Sequence, residues 1–102
     1  MGRLTGRLAV ITGGASGIGQ AFAKRLSEDG AAIAVADIRH AADTRAMVEA
    51  TGGQFFGAVC DVTDPAQVVR FVDQVGAALG TADILVNNVG IFPLQAFDDI
   101  SN

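Results

Sequence analysis

Four glycines follow a short apolar run near the start of the chain and form its most distinctive chemical pattern. They are Gly13, Gly14, Gly17 and Gly19. Where side chains are absent, backbone N–H groups can approach a phosphate closely, and the positive N-terminal end of a following helix favours an anion. The pattern predicts a phosphate-binding turn. A second interpretation stays open, in which the turn only packs a helix tightly against a strand.

The spacing of these glycines narrows the type of phosphate site. It is Gly-x-x-x-Gly-x-Gly, not the Gly-x-Gly-x-x-Gly of the common dinucleotide fingerprint, and Lys24 comes too late for a nucleoside triphosphatase loop. Asp37 follows Gly19 by 18 positions, near the separation of ~20 residues at which an acidic side chain accepts hydrogen bonds from an adenosine ribose. The alternative role for Asp37 is a helix or turn cap.

Apolar segments alternate with helical patterns along the chain, and this order determines how the glycine turn would be positioned. The predicted strands are 8–12, 32–36, 55–60 and 84–86. Alternation of this kind predicts an α/β fold: a Rossmann-type parallel sheet with flanking helices and the strand order 3-2-1-4. The fourth strand would be an edge, so the sheet is predicted to be truncated after it.

Three helices are predicted between the strands. The second covers 41–51, and the third begins with Asp64 as a cap, Pro65 at the first helical position and Gln67 reaching back. The predicted apolar faces are Ile18, Phe22 and Leu26 in the first helix, Met47 and Val48 in the second, and Val68, Phe71, Val72, Val75 and Leu79 in the third.

Composition excludes several classes of partner. Seven Lys and Arg against eleven Asp and Glu give a formal charge of -4, with no basic cluster, so nucleic acid and anionic membrane surfaces are poor partners. No apolar stretch is long enough to cross a bilayer, and no signal peptide is evident. The single cysteine, Cys60, is predicted to be a buried structural thiol, which is consistent with a reducing cytoplasm.

Residues 12–19, TGGASGIG, resemble the T-G-x-x-x-G-x-G cofactor motif of the short-chain dehydrogenases/reductases. Asp61 and Val62 are similar to the family's adenine-contacting pair, and residues 83–90, DILVNNVG, resemble its D-x-L-V-N-N-A-G segment. The resemblance covers essentially the whole chain. Within the family, the sequences of these motifs are most similar to those of bacterial alcohol and 3-oxoacyl reductases, including an aryl-alcohol (1-phenylethanol) dehydrogenase.

The resemblance implies a set of cofactor-binding residues: Gly13, Ser16, Gly17, Ile18, Gly19, Asp37, Asp61, Val62, Asn88, Val89 and Gly90. The glycines would shape the pyrophosphate turn, Asp37 would hold the ribose hydroxyls, and Asp61 the adenine amino group. Asn87 is interpreted equally as a structural residue that ties neighbouring strands together. Val89 departs from the family, which usually has Ala there.

A carboxylate at Asp37 favours NAD over NADP, because it would repel a 2′-phosphate. Arg39 is the evidence against this preference, since its guanidinium could turn toward a phosphate, but it is interpreted as solvated or resting over the adenine. His40 beside it is interpreted as a surface loop residue. No metal site is predicted.

The resemblance also implies catalytic Tyr, Lys, Ser and Asn residues that this chain does not supply. It contains no Tyr, and its one Lys, Lys24, lies in the first predicted helix. Residues 1–102 are therefore expected to be the N-terminal part of one dinucleotide-binding domain, without turnover, from a cytoplasmic oxidoreductase that interconverts a secondary alcohol and a ketone and forms a homo-oligomer. Alternatives are a non-catalytic nucleotide-binding module, an NADP-dependent 3-oxoacyl reductase-like enzyme, and a protein that associates through its fourth-strand edge.

Overall fold

A four-stranded parallel sheet with connecting helices forms the part of the chain that the computed structural model describes, residues 2–15 and 17–88. In chain order the elements are β1 (Leu8–Thr12), α1 (Gly17–Glu28), β2 (Ala32–Asp37), α2 (Ala42–Ala50), β3 (Phe55–Val59), α3 (Pro65–Ala78) and β4 (Ile84–Asn87). The strand order is β3-β2-β1-β4. This confirms the predicted α/β fold and strand order.

The central strand β1 pairs with β2 on one side and with β4 on the other. Val10 lies opposite Ala34 of β2 and Leu85 of β4. Because the chain crosses from β3 over the sheet to reach β4, the connections leaving β1 and β3 run to opposite sides of β1. Ligands of parallel α/β sheets bind at such a switch point, outside the carboxyl ends of the strands.

The start of β4 is fastened to the start of β1 by Asp83. The Leu8 N–H donates to Asp83 Oδ2 at 2.9 Å, and the Asp83 N–H donates to the Leu8 carbonyl at 2.9 Å. Arg7 adds an exposed ion pair, with Nη1 3.6 Å from Asp83 Oδ1. The first residue of the predicted 83–90 motif therefore sets the pairing of the two strands.

Both faces of the sheet are covered, so β1 is buried along its whole length. Alternate residues of β1 point to opposite faces: Leu8 and Val10 contribute to one core cluster, Ala9 and Ile11 to the other. The first cluster includes the apolar side of α3, and the second includes Ala23 of α1 and Val48 of α2. The sheet is thus the middle layer of three.

The apolar face predicted for α1 is wrong for Ile18 and Phe22, whereas the predicted Leu26 packs against the core cluster. The helix buries Gly19, Ala23 and Ser27, whereas Ile18 is 68% exposed and Phe22 is 45% exposed. The physical reason is the close approach of the helix to the sheet, which admits only small residues at the contact. Ile18 and Phe22 therefore lie on the exposed side of the helix.

The other two helices follow the sequence more closely. In α2 the buried residues are Thr44 and Val48, so Thr44 takes the place predicted for Met47, which is half-buried. In α3 the predicted face is confirmed, with Asp64 capping through its side chain, Pro65 in the first turn, and Val68, Phe71, Val72 and Val75 buried. None of the helices in the described ranges combines the length and apolar character needed to span a bilayer.

Candidate functional site at the carboxyl edge of the sheet

A cavity of about 610 Å³ opens at the carboxyl edge of the sheet, a volume typical of small-molecule and cofactor sites. It is lined by Gly13, Gly17, Ile18, Ala36, Asp37, Ile38, Arg39, Cys60, Asp61, Val62, Thr63 and Asn88. Seven predicted site residues are in this lining: Gly13, Gly17, Ile18, Asp37, Asp61, Val62 and Asn88. The tertiary structure therefore brings together residues that are up to 75 positions apart, from Gly13 to Asn88.

Among the described residues, one predicted site residue, Gly19, is not in the lining. Gly19 lies beneath the glycine turn, and a Cβ atom there would stand 2.2 Å from the Gly13 carbonyl oxygen. Its role in shaping the turn is therefore to permit a close approach of helix and turn. Ser16, Val89 and Gly90 lie outside the described residues.

The glycine turn combines tight packing with an open wall of the cavity. Gly13 and Gly17 have φ angles of 69° and 62°, the left-handed region that favours glycine. The Gly13 N–H donates to the Ala36 carbonyl of β2 at 2.8 Å, which holds the start of the turn to the sheet. The interpretation as a tightly packed turn is confirmed, and two of its glycines, Gly13 and Gly17, also line the cavity.

Asp37 is the buried carboxylate of the cavity wall, only 7% exposed. Its Oδ2 accepts the Ala15 N–H at 2.9 Å, and its Oδ1 accepts the Arg39 N–H at 2.9 Å. The guanidinium of Arg39 lies nearby, with Nε 3.9 Å from Asp37 Oδ1. Asp37 thus caps the turn after β2, as the alternative interpretation held, while also facing the cavity.

Asp61 begins the loop between β3 and α3. Its Oδ1 accepts the Thr63 N–H at 2.9 Å and the Thr63 hydroxyl at 2.6 Å, and its own N–H donates to Gln67 Oε1 at 2.8 Å. Gln67 therefore reaches back to Asp61 and, through Nε2, to Asp64 Oδ2 at 3.1 Å. The predicted reach of Gln67 back to the start of α3 is confirmed, and its partners are the Asp61 N–H and the Asp64 carboxylate.

The two Thr63 bonds lower the pKa of the Asp61 carboxyl, because they stabilise its ionised form. The folded pKa therefore lies below the unfolded one. The resulting stabilisation is present above the unfolded pKa and is lost as the pH falls through the folded pKa. Asp61 is accordingly an anion at neutral pH on the cavity wall.

Thr12 joins the ends of β1 and β4 at the floor of the site. Its buried hydroxyl donates to Asn87 Oδ1 at 3.2 Å and accepts the Asn88 N–H at 2.9 Å. Asn88 also approaches the turn, with Nδ2 3.4 Å from the Gly13 carbonyl oxygen. The bond between the Thr12 hydroxyl and Asn87 Oδ1 joins β1 to β4. It is consistent with the structural interpretation of Asn87.

Replacing Thr12 by Val is expected to lower the free energy of unfolding by about 1–3 kcal/mol, because the part-buried Asn88 N–H loses its acceptor. Thr12→Ser keeps the hydroxyl and is expected to lose about 1 kcal/mol or less. Urea unfolding followed by circular dichroism measures both variants. Equal losses in the two variants would show that the hydroxyl is not the stabilising group.

Sequence reasoning missed several residues of this edge: Ile38, Ala36 and Thr63 in the lining, and Thr44 and Gln20 behind the turn. A polar residue within an otherwise apolar stripe was the signal available for Thr44.

Cys60 is 2% exposed at the cavity floor, and burial is the main cause that raises the pKa of its thiol. Its thiolate fraction is therefore low at neutral pH, as expected of a structural cysteine.

Known proteins share both the sequence and the fold. An uncharacterised oxidoreductase, YxbG, of Bacillus subtilis is 40% identical over 98% of this chain and 41% of its own length. D-threitol dehydrogenase of Mycolicibacterium smegmatis is 40% identical over 97% of this chain and 39% of its own length. The chain thus spans about two fifths of the length of these relatives.

The solved structures include a short-chain dehydrogenase from Mycobacterium paratuberculosis bound to NAD. It is 38% identical, with a TM-score of 0.82 over 97% of this chain and 42% of that one. The family model described as short chain dehydrogenase matches residues 7–102. With the strand order, the glycine turn and these similarities in agreement, the chain belongs to the short-chain dehydrogenase family.

Proposed function

We propose that residues 1–102 form the N-terminal part of a dinucleotide-binding domain, and that the cavity binds the adenosine and pyrophosphate of NAD(H). The observation that carries this proposal is the buried carboxylate of Asp37 beside the glycine turn, at the end of a strand next to the switch point. The similarity to a family member solved with NAD supports it.

The glycine turn and the start of α1 suit a pyrophosphate. A helix leaves its first N–H groups without intrahelical acceptors, and these groups attract an anion. The first turn of α1 contains no acidic residue, so no carboxylate there opposes the anion. Gly17, in the cavity lining, places no side chain between these N–H groups and a ligand.

The part of the cavity that we assign to adenosine suits NAD better than NADP. Each carboxylate oxygen has two lone pairs, so Asp37 can accept two ribose hydroxyls in addition to the Ala15 and Arg39 N–H groups. The same charge disfavours a 2′-phosphate. Asp61 Oδ2 accepts no hydrogen bond from residues 2–15 and 17–88 and can accept one from the adenine amino group. The Arg39 guanidinium lies near the Asp37 carboxylate, whose negative charge attracts it.

We further propose that the whole protein interconverts a secondary alcohol and a ketone. Bound NAD would supply the hydride acceptor. The chain has no Tyr, and its single Lys lies in α1. Since the family resemblance implies that a Tyr and a nearby Lys act on the substrate's hydroxyl, we propose that this part contributes cofactor binding and the rest of the protein those groups. The similarity to D-threitol dehydrogenase supports an alcohol substrate.

Titration of the 102-residue chain with NADH and NADPH tests the cofactor proposal. The chain contains neither Trp nor Tyr, so the nicotinamide fluorescence can be followed without overlapping protein emission. We expect saturable NADH binding, competition by ADP-ribose, and weaker NADPH binding. Absence of saturation at millimolar NADH contradicts the binding proposal, whereas tighter NADPH binding contradicts only the preference for NAD.

The same material is expected to reduce no NAD when a secondary alcohol is added, because the catalytic Tyr that the family resemblance implies is not among these residues. Absorbance at the NADH band measures this directly. Turnover by a sample of verified mass would place the catalytic groups within the 102 residues and would contradict this division of roles.

A further inference from the structure

The outer side of the glycine turn is held by two side chains that do not line the cavity. Thr44 of α2 donates its hydroxyl to the Gly14 carbonyl at 2.6 Å. Gln20 of α1 donates through Nε2 to Thr44 Oγ1 at 3.2 Å and to the Ala15 carbonyl at 3.4 Å. The turn is therefore fastened from the side opposite the cavity.

Thr44 is fully buried, at 0% exposure, and its hydroxyl is both donor and acceptor in this network. Threonine is a weak helix former, so helix propensity does not explain its presence at a buried position in α2. Removing the hydroxyl would leave the Gly14 carbonyl without this partner in a buried place, where an unsatisfied polar group is costly. The bond therefore constrains the orientation of the carbonyl.

The Gly14 carbonyl and the Ala15 N–H belong to one planar peptide unit. Thr44 holds the carbonyl end of this unit, and Asp37 Oδ2 accepts its N–H end at 2.9 Å. A rotation of the peptide plane would break both bonds together. The orientation of the Asp37 carboxylate is thus linked to Thr44 through one rigid group.

We infer that Thr44, supported by Gln20, is a positioning residue for the cofactor site: it sets the peptide plane that orients Asp37 and the glycine turn. This inference rests on the proposed function, because the positioned groups are those assigned to NAD(H). Thr44 touches no ligand in this arrangement. It acts through the Gly14 to Ala15 peptide.

Thr44→Val is expected to weaken NADH binding about tenfold, the effect of one lost buried hydrogen bond. Thr44→Ser keeps the hydroxyl and is expected to stay within about twofold of the unsubstituted chain. The matched control is Thr51→Val, because Thr51 bonds to Ser27 and to the Val48 carbonyl, away from the turn. Circular dichroism confirms that each variant is folded.

A double-mutant cycle separates positioning from general stability. If Thr44 acts through Asp37, then Thr44→Val is expected to lose most of its effect in an Asp37→Asn background. Additive effects, an equal loss in Thr51→Val, or no recovery in Thr44→Ser would each overturn the inference. If Thr44→Val does not fold, Gln20→Leu is used in the same cycle, with a loss of about threefold expected.

The proposed function and this inference fail in different ways. Absence of NADH binding by the unsubstituted chain removes the proposed function, and the inference with it. Binding by the unsubstituted chain that is unchanged in Thr44→Val overturns the inference alone.

Discussion

Gly19→Ala is expected to destabilise the chain by about 3 kcal/mol or more, at the upper end of what overpacking costs. The added Cβ would lie 2.2 Å from the Gly13 carbonyl oxygen, 2.8 Å from its carbonyl carbon and 2.9 Å from Gly14 Cα. These are backbone atoms, so no side-chain rotation relieves the contact. The helix must move away from the turn, and NADH affinity is expected to fall about a hundredfold.

Gly76→Ala is the matched control for this substitution. Gly76 lies within α3, and a Cβ there meets no atom within 4 Å. Alanine is the better helix former, so this variant is expected to gain about 0.5–1 kcal/mol. Urea unfolding and NADH titration measure both variants. Wild-type stability and affinity in Gly19→Ala would contradict the close approach of α1 to the turn.

Asp37→Asn is expected to weaken NADH binding about ten- to hundredfold and to reduce or reverse the preference over NADPH. The amide has one acceptor oxygen, whereas the carboxylate serves both the Ala15 and the Arg39 N–H groups. Loss of the negative charge also releases the Arg39 guanidinium, which lies within 3.9 Å of Asp37 Oδ1. Parallel titrations with NADH and NADPH measure the change.

Two further variants locate the cause of that change. Asp73→Asn removes the same charge from an exposed position of α3 and is expected to leave both affinities unaltered. Asp37→Asn combined with Arg39→Ala is expected to lose the gain in NADPH binding. If the gain persists without Arg39, the guanidinium is not the group that receives the 2′-phosphate.

The strands and α3 illustrate what local sequence patterns predict well. Short runs that are apolar on both faces are typical of strands covered on both sides, and alternation with crossover handedness then predicted the order β3-β2-β1-β4. Asp64 and Pro65 mark the start of α3 in the sequence, and the apolar residues of this helix repeat at helical spacing. These signals depend on near neighbours in the chain, which is why the sequence contains them.

The contacts behind the glycine turn illustrate what such patterns do not predict. Thr44 and Gln20 each bond to backbone groups whose position depends on how two elements pack. Spacing in the sequence records which residue types are available but not which backbone group lies within 3 Å. The network around the Gly14 to Ala15 peptide was accordingly visible only in three dimensions.

The sequence by itself determined the fold class, the strand order and seven of the residues that line the cavity at the carboxyl edge, because parallel strands bring their ends together. Only the tertiary structure decided which face of α1 is buried. The hydrophobic pattern favoured Ile18 and Phe22, but the backbone contact between Gly19 and Gly13 brings the helix too close to the sheet for large side chains. Close packing of backbone against backbone overrode hydrophobic periodicity at the position where the cofactor site is built.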